Sequence, residues 1–195
     1  MTEAYSVYWP QSRWQRAASV GQCLTVLFGG PHHSEPSFRR AAVQPGDLLY
    51  PIGVCDQVLY VFGRMCVQDI VVVGDDQGLL DEYLARYRGW RFLAPTCTTE
   101  VVLGCEGTRI MLDRPLPGPI LMRLTYRPRR EPRPVRHVSD HGRLLHTVSV
   151  HGIYRLAESS AADLDAILAG PPGRPIPLSR ARALQVVPAG TDPLF

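Results

Sequence analysis

The chain has 195 residues, 45% of them apolar and 20% charged, with a net charge of +3; that suits one domain with a sizeable core. Its 18 prolines and 17 glycines exclude a fold built on long helices. All 21 cations are arginine, which excludes Schiff-base chemistry and an ε-amine base, because a guanidinium stays protonated.

In chain order, Ala4–Trp9 alternates as a first strand, and "WPQSRW" reads as a turn or short helical entry. Cys23–Phe28, closed by Gly29-Gly30, reads as a buried strand with a helix turn as the alternative, and "PHHSEPSFRRAAVQPG" is a loop. The densest β region is "GDLLYPIGVCDQVLYVFGRMCVQDIVVVG". Cys55-Asp56-Gln57 is its hairpin turn, Pro51 marks an edge or interruption, and Gly63 marks a bulge or close approach. Asp75 and Asp76 open a helix with Leu79, Leu80, Tyr83, Leu84 and Tyr87 on its apolar face and Gly89 as its C-cap. Strands and loops follow through "WRFLAPTCTTEVVLGCEGTRIML", then a short element "ILMRLTY". "RLLHTVSVHGIYRL" predicts a strand or hairpin arm, and Ser159 or Ser160 caps a last helix ending at Gly170. The expected organisation is one domain over residues 1–170 with a proline-rich linker and tail over 171–195. The pattern predicts an α+β fold: a curved sheet or small barrel with two flanking helices.

Charge is unevenly placed. Arg123–Arg143 holds seven arginines against Glu131 and Asp140, a local excess of five, leaving the rest of the chain at −2. Arginine count alone carries no function here, since coding bias in a GC-rich bacterium yields the same substitution throughout. Placement carries more: Pro128, Pro132 and Pro134 hold Arg127, Arg129, Arg130, Arg133 and Arg136 in an extended segment, which suits a phosphate backbone. A solvated Arg/Pro loop is the competing reading. Five scattered cysteines without a CxxC pair predict buried free thiols rather than a metal or redox motif. The opening lacks an apolar leader segment and no run reaches membrane-spanning length, so a reducing cytoplasm is expected.

The unit "VQPGDLLYPIGVCDQVLYVFGRMCV", preceded by "FRR" and by an early "AYSVYW", resembles the PUA-like superfamily, and within it EVE-type and ASCH-type domains. The resemblance is specific over Phe38–Val67. It implies a pseudo-barrel with flanking helices and a pocket for a nucleobase or nucleotide-like ligand. EVE relatives hold a modified base among aromatic residues, PUA relatives bind RNA, and some ASCH relatives are hydrolases of RNA or modified nucleosides. Those hydrolases lean on a lysine, which has no counterpart here.

For stacking, Trp14, between Arg13 and Arg16, and Tyr50 are taken as the aromatic candidates from a set that includes Trp9, Tyr8 and Trp90, with core and hairpin packing as the competing reading. Thr96 and Thr98, in "PTCTTE", are placed to line a pocket, with turn chemistry as the competing reading. His137, His141, His146 and His151 lack metal-ligand spacing, and no P-loop, GxSxG, HExxH or Rossmann fingerprint is present. The expectation is therefore a cytoplasmic module binding RNA, DNA or a nucleotide-like small molecule, reading a modified base, with no cofactor, metal or membrane partner. Its ligand-binding residues would be Trp14, Tyr50, Thr96, Thr98, Arg127, Arg129, Arg130, Arg133 and Arg136. The alternatives are a small hydrolase using Cys97, Thr98, Glu100 or a histidine, and a protein-interaction module.

Overall fold

Strands apolar on successive positions need cover on both faces, and the central strands here have it. The computed structural model describes residues 2–31, 37–94, 97–127 and 131–176. Among these, the strands are β1 (Ala4–Tyr8), β2 (Val26–Gly29), β3 (Leu48–Cys55), β4 (Val58–Val61), β5 (Met65–Val72), β6 (Glu100–Cys105), β7 (Thr125–Tyr126), β8 (Arg133–Pro134) and β9 (Ile153–Arg155). The helices are α1 (Gln11–Val20), α2 (Gln77–Arg86), α3 (Gly118–Arg123) and α4 (Glu158–Ala169). Tyr5, Val7 and Leu49 enter one core, with Trp14 and Ala17 of α1 and Leu80 of α2. Ala4, Tyr50 and Ile52 enter a second, with Leu121 of α3 and Leu164 of α4. Strand alternation thus feeds two cores from the same two strands.

The sheet runs β2-β6-β5-β3-β1-β9, with β4 also paired to β3. β1 and β3 are parallel, from Ala4 opposite Leu48 to Tyr8 opposite Ile52. The other edge of β3 is divided: Leu48 and Leu49 pair with β5, and Ile52–Cys55 pairs with β4. β2 and β9 lie at opposite ends, so the curved sheet stays open and the expected barrel does not close.

The β3–β4 turn falls on Asp56 and Gln57, whose φ values of 49° and 64° are those of a two-residue type I′ hairpin. The apolar run after it is two strands rather than one. Gly63 lies in the break, where a Cβ would sit 2.6 Å from Thr108 Oγ1. The bulge falls further on, between Val67 and Asp69.

Among the described residues four helices replace the two expected. α1 is mostly polar and buries Trp14 and Ala17, three positions apart on one face. α2 is capped by Asp76, which accepts from Leu79 N–H at 2.9 Å, but it ends at Arg86 and Gly89 lies inside a following 3₁₀ turn, Arg88–Leu93. Ala157, not Ser159 or Ser160, precedes α4; the Ser160 hydroxyl accepts from Thr125 N–H at 2.9 Å instead. Of "RLLHTVSVHGIYRL" only Ile153–Arg155 is strand, after a 3₁₀ turn at Thr147–Ser149.

Residues 171–176, read as the start of the linker, lie against the body. Gly173 N–H donates to Asp113 O at 2.7 Å, Ile176 N–H to Leu112 O at 2.9 Å, and Ile176 is buried. The rest of the tail, 177–195, is outside the described residues. The thiols are not buried as expected: Cys23 is exposed, and Cys55, Cys66, Cys97 and Cys105 are partly so. Among the described residues no helix is long and apolar enough to cross a membrane.

Candidate functional site

The edge strand β9 forms the floor of a cleft. It pairs with β1, Tyr154 opposite Ser6 and Arg155 opposite Tyr5. Beyond it, a bridge between Tyr126 and Leu156 attaches the β7–β8 hairpin. Arg127 N–H donates to Arg155 O at 2.8 Å, and Arg155 Nε donates to Arg127 O at 3.1 Å. These bonds carry the arginine-rich segment to the sheet edge, with Tyr126 opposite Arg133 in the hairpin.

The opposite wall is the turn over residues 37–42, and buried carboxylates hold it in place. Glu100 accepts from the Ser37 hydroxyl, from Phe38 N–H at 2.8 Å and from Arg39 N–H at 3.3 Å. Asp47 accepts from Gln44 N–H at 2.8 Å and Glu3 N–H at 2.9 Å, tying the segment to β1. Gly46 adopts φ 91°, which explains glycine in "PGD". The Tyr5 hydroxyl donates to Ala42 O at 3.2 Å. Ala42 itself has φ 63°, a left-handed conformation that costs a non-glycine residue about 1–2 kcal/mol.

Between the walls lies a cavity of about 300 Å³, lined by Arg40, Arg127, Arg133 and Arg155, by Tyr126, Ile153 and Tyr154, and by Ala41 and Ala42. The Tyr126 and Tyr154 rings lie 4.8 Å apart at 30°. Burial pushes the Tyr126 hydroxyl well above the ordinary phenol range. Arg155 is fixed by the Arg127 carbonyl and by Glu3 at 3.4 Å. Arg127 and Arg133 are exposed, and among the described residues neither side chain is in an ion pair. Four guanidiniums with one carboxylate partner between them, among the described residues, give the cleft a positive field suited to phosphate or carboxylate.

The expected site residues separate. Arg127 and Arg133 line the cleft; Arg136 is exposed outside its lining. Arg129, Arg130 and Thr96 lie outside the described residues. Trp14 is fully buried, 5.8 Å from the Phe62 ring, and offers no face for stacking. Tyr50 is equally buried. Desolvation and the adjacent Asp165 push its hydroxyl above the phenol range, beside the Arg64–Asp165 ion pair. Tyr50 and Arg127 nevertheless border one neighbouring cavity of about 380 Å³, with Leu48, Leu156 and Asp165. Thr98 is buried and borders a separate hollow with Cys97, Asp75 and Asp76. Glu100 is engaged as the turn's anchor. His137 packs edge-on against His146 at 5.4 Å, and no cluster of three metal-binding side chains occurs among the described residues.

Arg40, Arg155, Tyr126 and Tyr154 were missed by reading the sequence. The sequence held no specific signal for them: the Tyr-Arg pairs of "TYRP" and "IYRL" line the cleft, but a third pair, Tyr87-Arg88, does not.

The molecule is thus an α+β protein with an open curved sheet and an arginine- and tyrosine-lined cleft at one sheet edge. No family model matches the chain. No curated protein matches it either. It is similar to the crystal structure of ASCH from Zymomonas mobilis, with a TM-score of 0.46 and 13% identity, over 84% of this chain and 94% of that one.

Proposed function

We propose that the cleft binds a nucleic acid or nucleotide-like ligand, with Arg127 and Arg133 on phosphate and the Tyr126–Tyr154 pair beside a base. The observation that carries this reading is convergence. Guanidiniums from the 37–42 turn, the β7–β8 hairpin and β9 meet in one cavity of about 300 Å³, a volume at the lower end of small-ligand sites. Planar donors match phosphate bidentately, and base stacking contributes about 1–3 kcal/mol per base. The smaller alternative, a modified base read among the tyrosines, needs the same cleft.

Fluorescence polarisation with RNA and DNA oligonucleotides at two salt concentrations tests the reading. Binding that weakens with salt supports it; no binding, or binding without salt dependence, counts against it. An acidic protein would meet the same guanidiniums, and capture that survives nuclease treatment would favour that partner. Of the residues named for the hydrolase reading, Glu100 is occupied by three donors.

A further inference from the structure

We propose that Cys66 and Cys105 form a reversible dithiol site, closed to a disulfide by exchange with a low-molecular-weight disulfide. The two residues stand directly opposite each other in the antiparallel β5–β6 ladder. Directly opposed residues in such a ladder have Cα atoms about 4.5–5.5 Å apart, inside the roughly 4.4–6.8 Å range that a disulfide spans. Opposed side chains also leave the sheet on the same face. Met65 and Val67 are buried in the first core, so Cys66 between them projects from the other face.

Both thiols are partly exposed, so a small reagent has access. They lie close enough for the Cys105 thiol to perturb Cys66. The hydrogen bond that must break is weak: Cys66 Sγ donates to Val67 O at 3.9 Å. Among the described residues the other three cysteines have no such opposed thiol. Cys23 bridges to Arg109, Cys55 stands opposite Val58, and Cys97 borders the hollow at Asp75 and Asp76.

The exchange runs in two steps. One cysteine, as thiolate, attacks a sulfur of the reagent disulfide and expels the first reagent thiolate, leaving a mixed disulfide. The facing cysteine, as thiolate, attacks the protein-side sulfur and expels the second. Two protein thiols are oxidised, one reagent disulfide is reduced to two thiols, and the two protons pass to the departing thiolates. The product covalently joins β5 to β6, so the oxidised protein should unfold at higher temperature. Burial, the facing Cys105 and Glu106 push the Cys66 thiol up, while Arg64 opposes them, so attack by Cys66 is slow at neutral pH and faster in mild alkali.

The test is incubation of the full chain with oxidised glutathione, quenching by alkylation, and peptide mapping by mass spectrometry. Expected are a Cys66–Cys105 linked peptide two hydrogens lighter than the two thiol peptides together, loss of alkylation at both residues, and recovery of all five thiols after reduction. Cys105→Ser should instead trap a mixed disulfide on Cys66, and Cys23→Ser should leave the link intact. Retention of all five thiols, or a link between any other pair, overturns the proposal. The wild-type map decides even if a cysteine variant fails to fold.

Discussion

Arg127 and Arg155 hold each other at the edge of the sheet: the Arg127 N–H donates to Arg155 O, and the Arg155 guanidinium donates back to Arg127 O. This reciprocal pair turns a proline-spaced loop into one wall of a cleft. It also separates two roles. Arg155 is positioned, with Glu3 and the Arg127 carbonyl on its guanidinium, while the Arg127 and Arg133 side chains stay available to a ligand.

Replacing Arg127 and Arg133 together by alanine should therefore weaken oligonucleotide binding. The slope of log affinity against log salt should flatten by about 0.7–0.9 for each phosphate that is no longer neutralised. Arg136→Ala, outside the cleft, should leave both unchanged. Polarisation titrations at several salt concentrations measure this, and an equal weakening at Arg136 would place the binding surface elsewhere.

Glu100→Ala should act on stability. It strands three buried or half-buried donors at Ser37, Phe38 and Arg39, and removing charge-assisted bonds costs about 1.5–3 kcal/mol each before relaxation. Denaturant unfolding should show a marked fall. Ligand binding should weaken with it, because Arg40 sits on the turn that Glu100 anchors.

Trp14 should report on folding rather than on ligand. Trp14→Ala is expected to destabilise by about 3–5 kcal/mol. Gly53→Ala should be costly at the same place, since a Cβ there would lie 2.8 Å from Trp14 and 2.7 Å from Phe62. Trp14→Phe should keep ligand affinity once stability is restored by temperature. A selective fall in affinity would return Trp14 to the binding surface.

Stability should decline at both ends of the pH scale. Hydrogen bonding to Arg123 holds the Asp163 carboxyl below its ordinary 3.8. That contribution is present above this value and is lost as pH falls through the lower folded value. Asp163→Asn should remove this part of the acid sensitivity. Tyr5, Tyr8, Tyr50, Tyr60 and Tyr126 are raised above 10.0, mainly by burial. Their folded forms keep protons that the unfolded chain loses, so stability falls as pH rises above about 10. Thermal melts across roughly pH 2–11 check both limbs.

Local signals were legible where a residue acts on its own neighbours. The alternation of Ala4–Tyr8, the Asp56-Gln57 turn, the Asp76 cap and the glycine of "PGD" all depend on interactions within a few positions. Helix α1 was read only as a turn or short helical entry because six of its ten residues are polar and it buries just Trp14 and Ala17. The last strand was overextended because Val148 and Leu145, apolar by type, are exposed.

By itself the sequence determined the α+β class, the β3–β4 hairpin and the clustering of arginine over residues 123–143. The tertiary structure alone decided which arginines converge. Arg40 reaches the cleft through Glu100, which lies far along the chain from the turn it anchors, and Arg127 meets Arg155 across 28 positions. It also decided that Trp14 of α1 faces the core, where it packs against Phe62. Such pairings depend on how the strands are ordered in space, which no local pattern of residue types records.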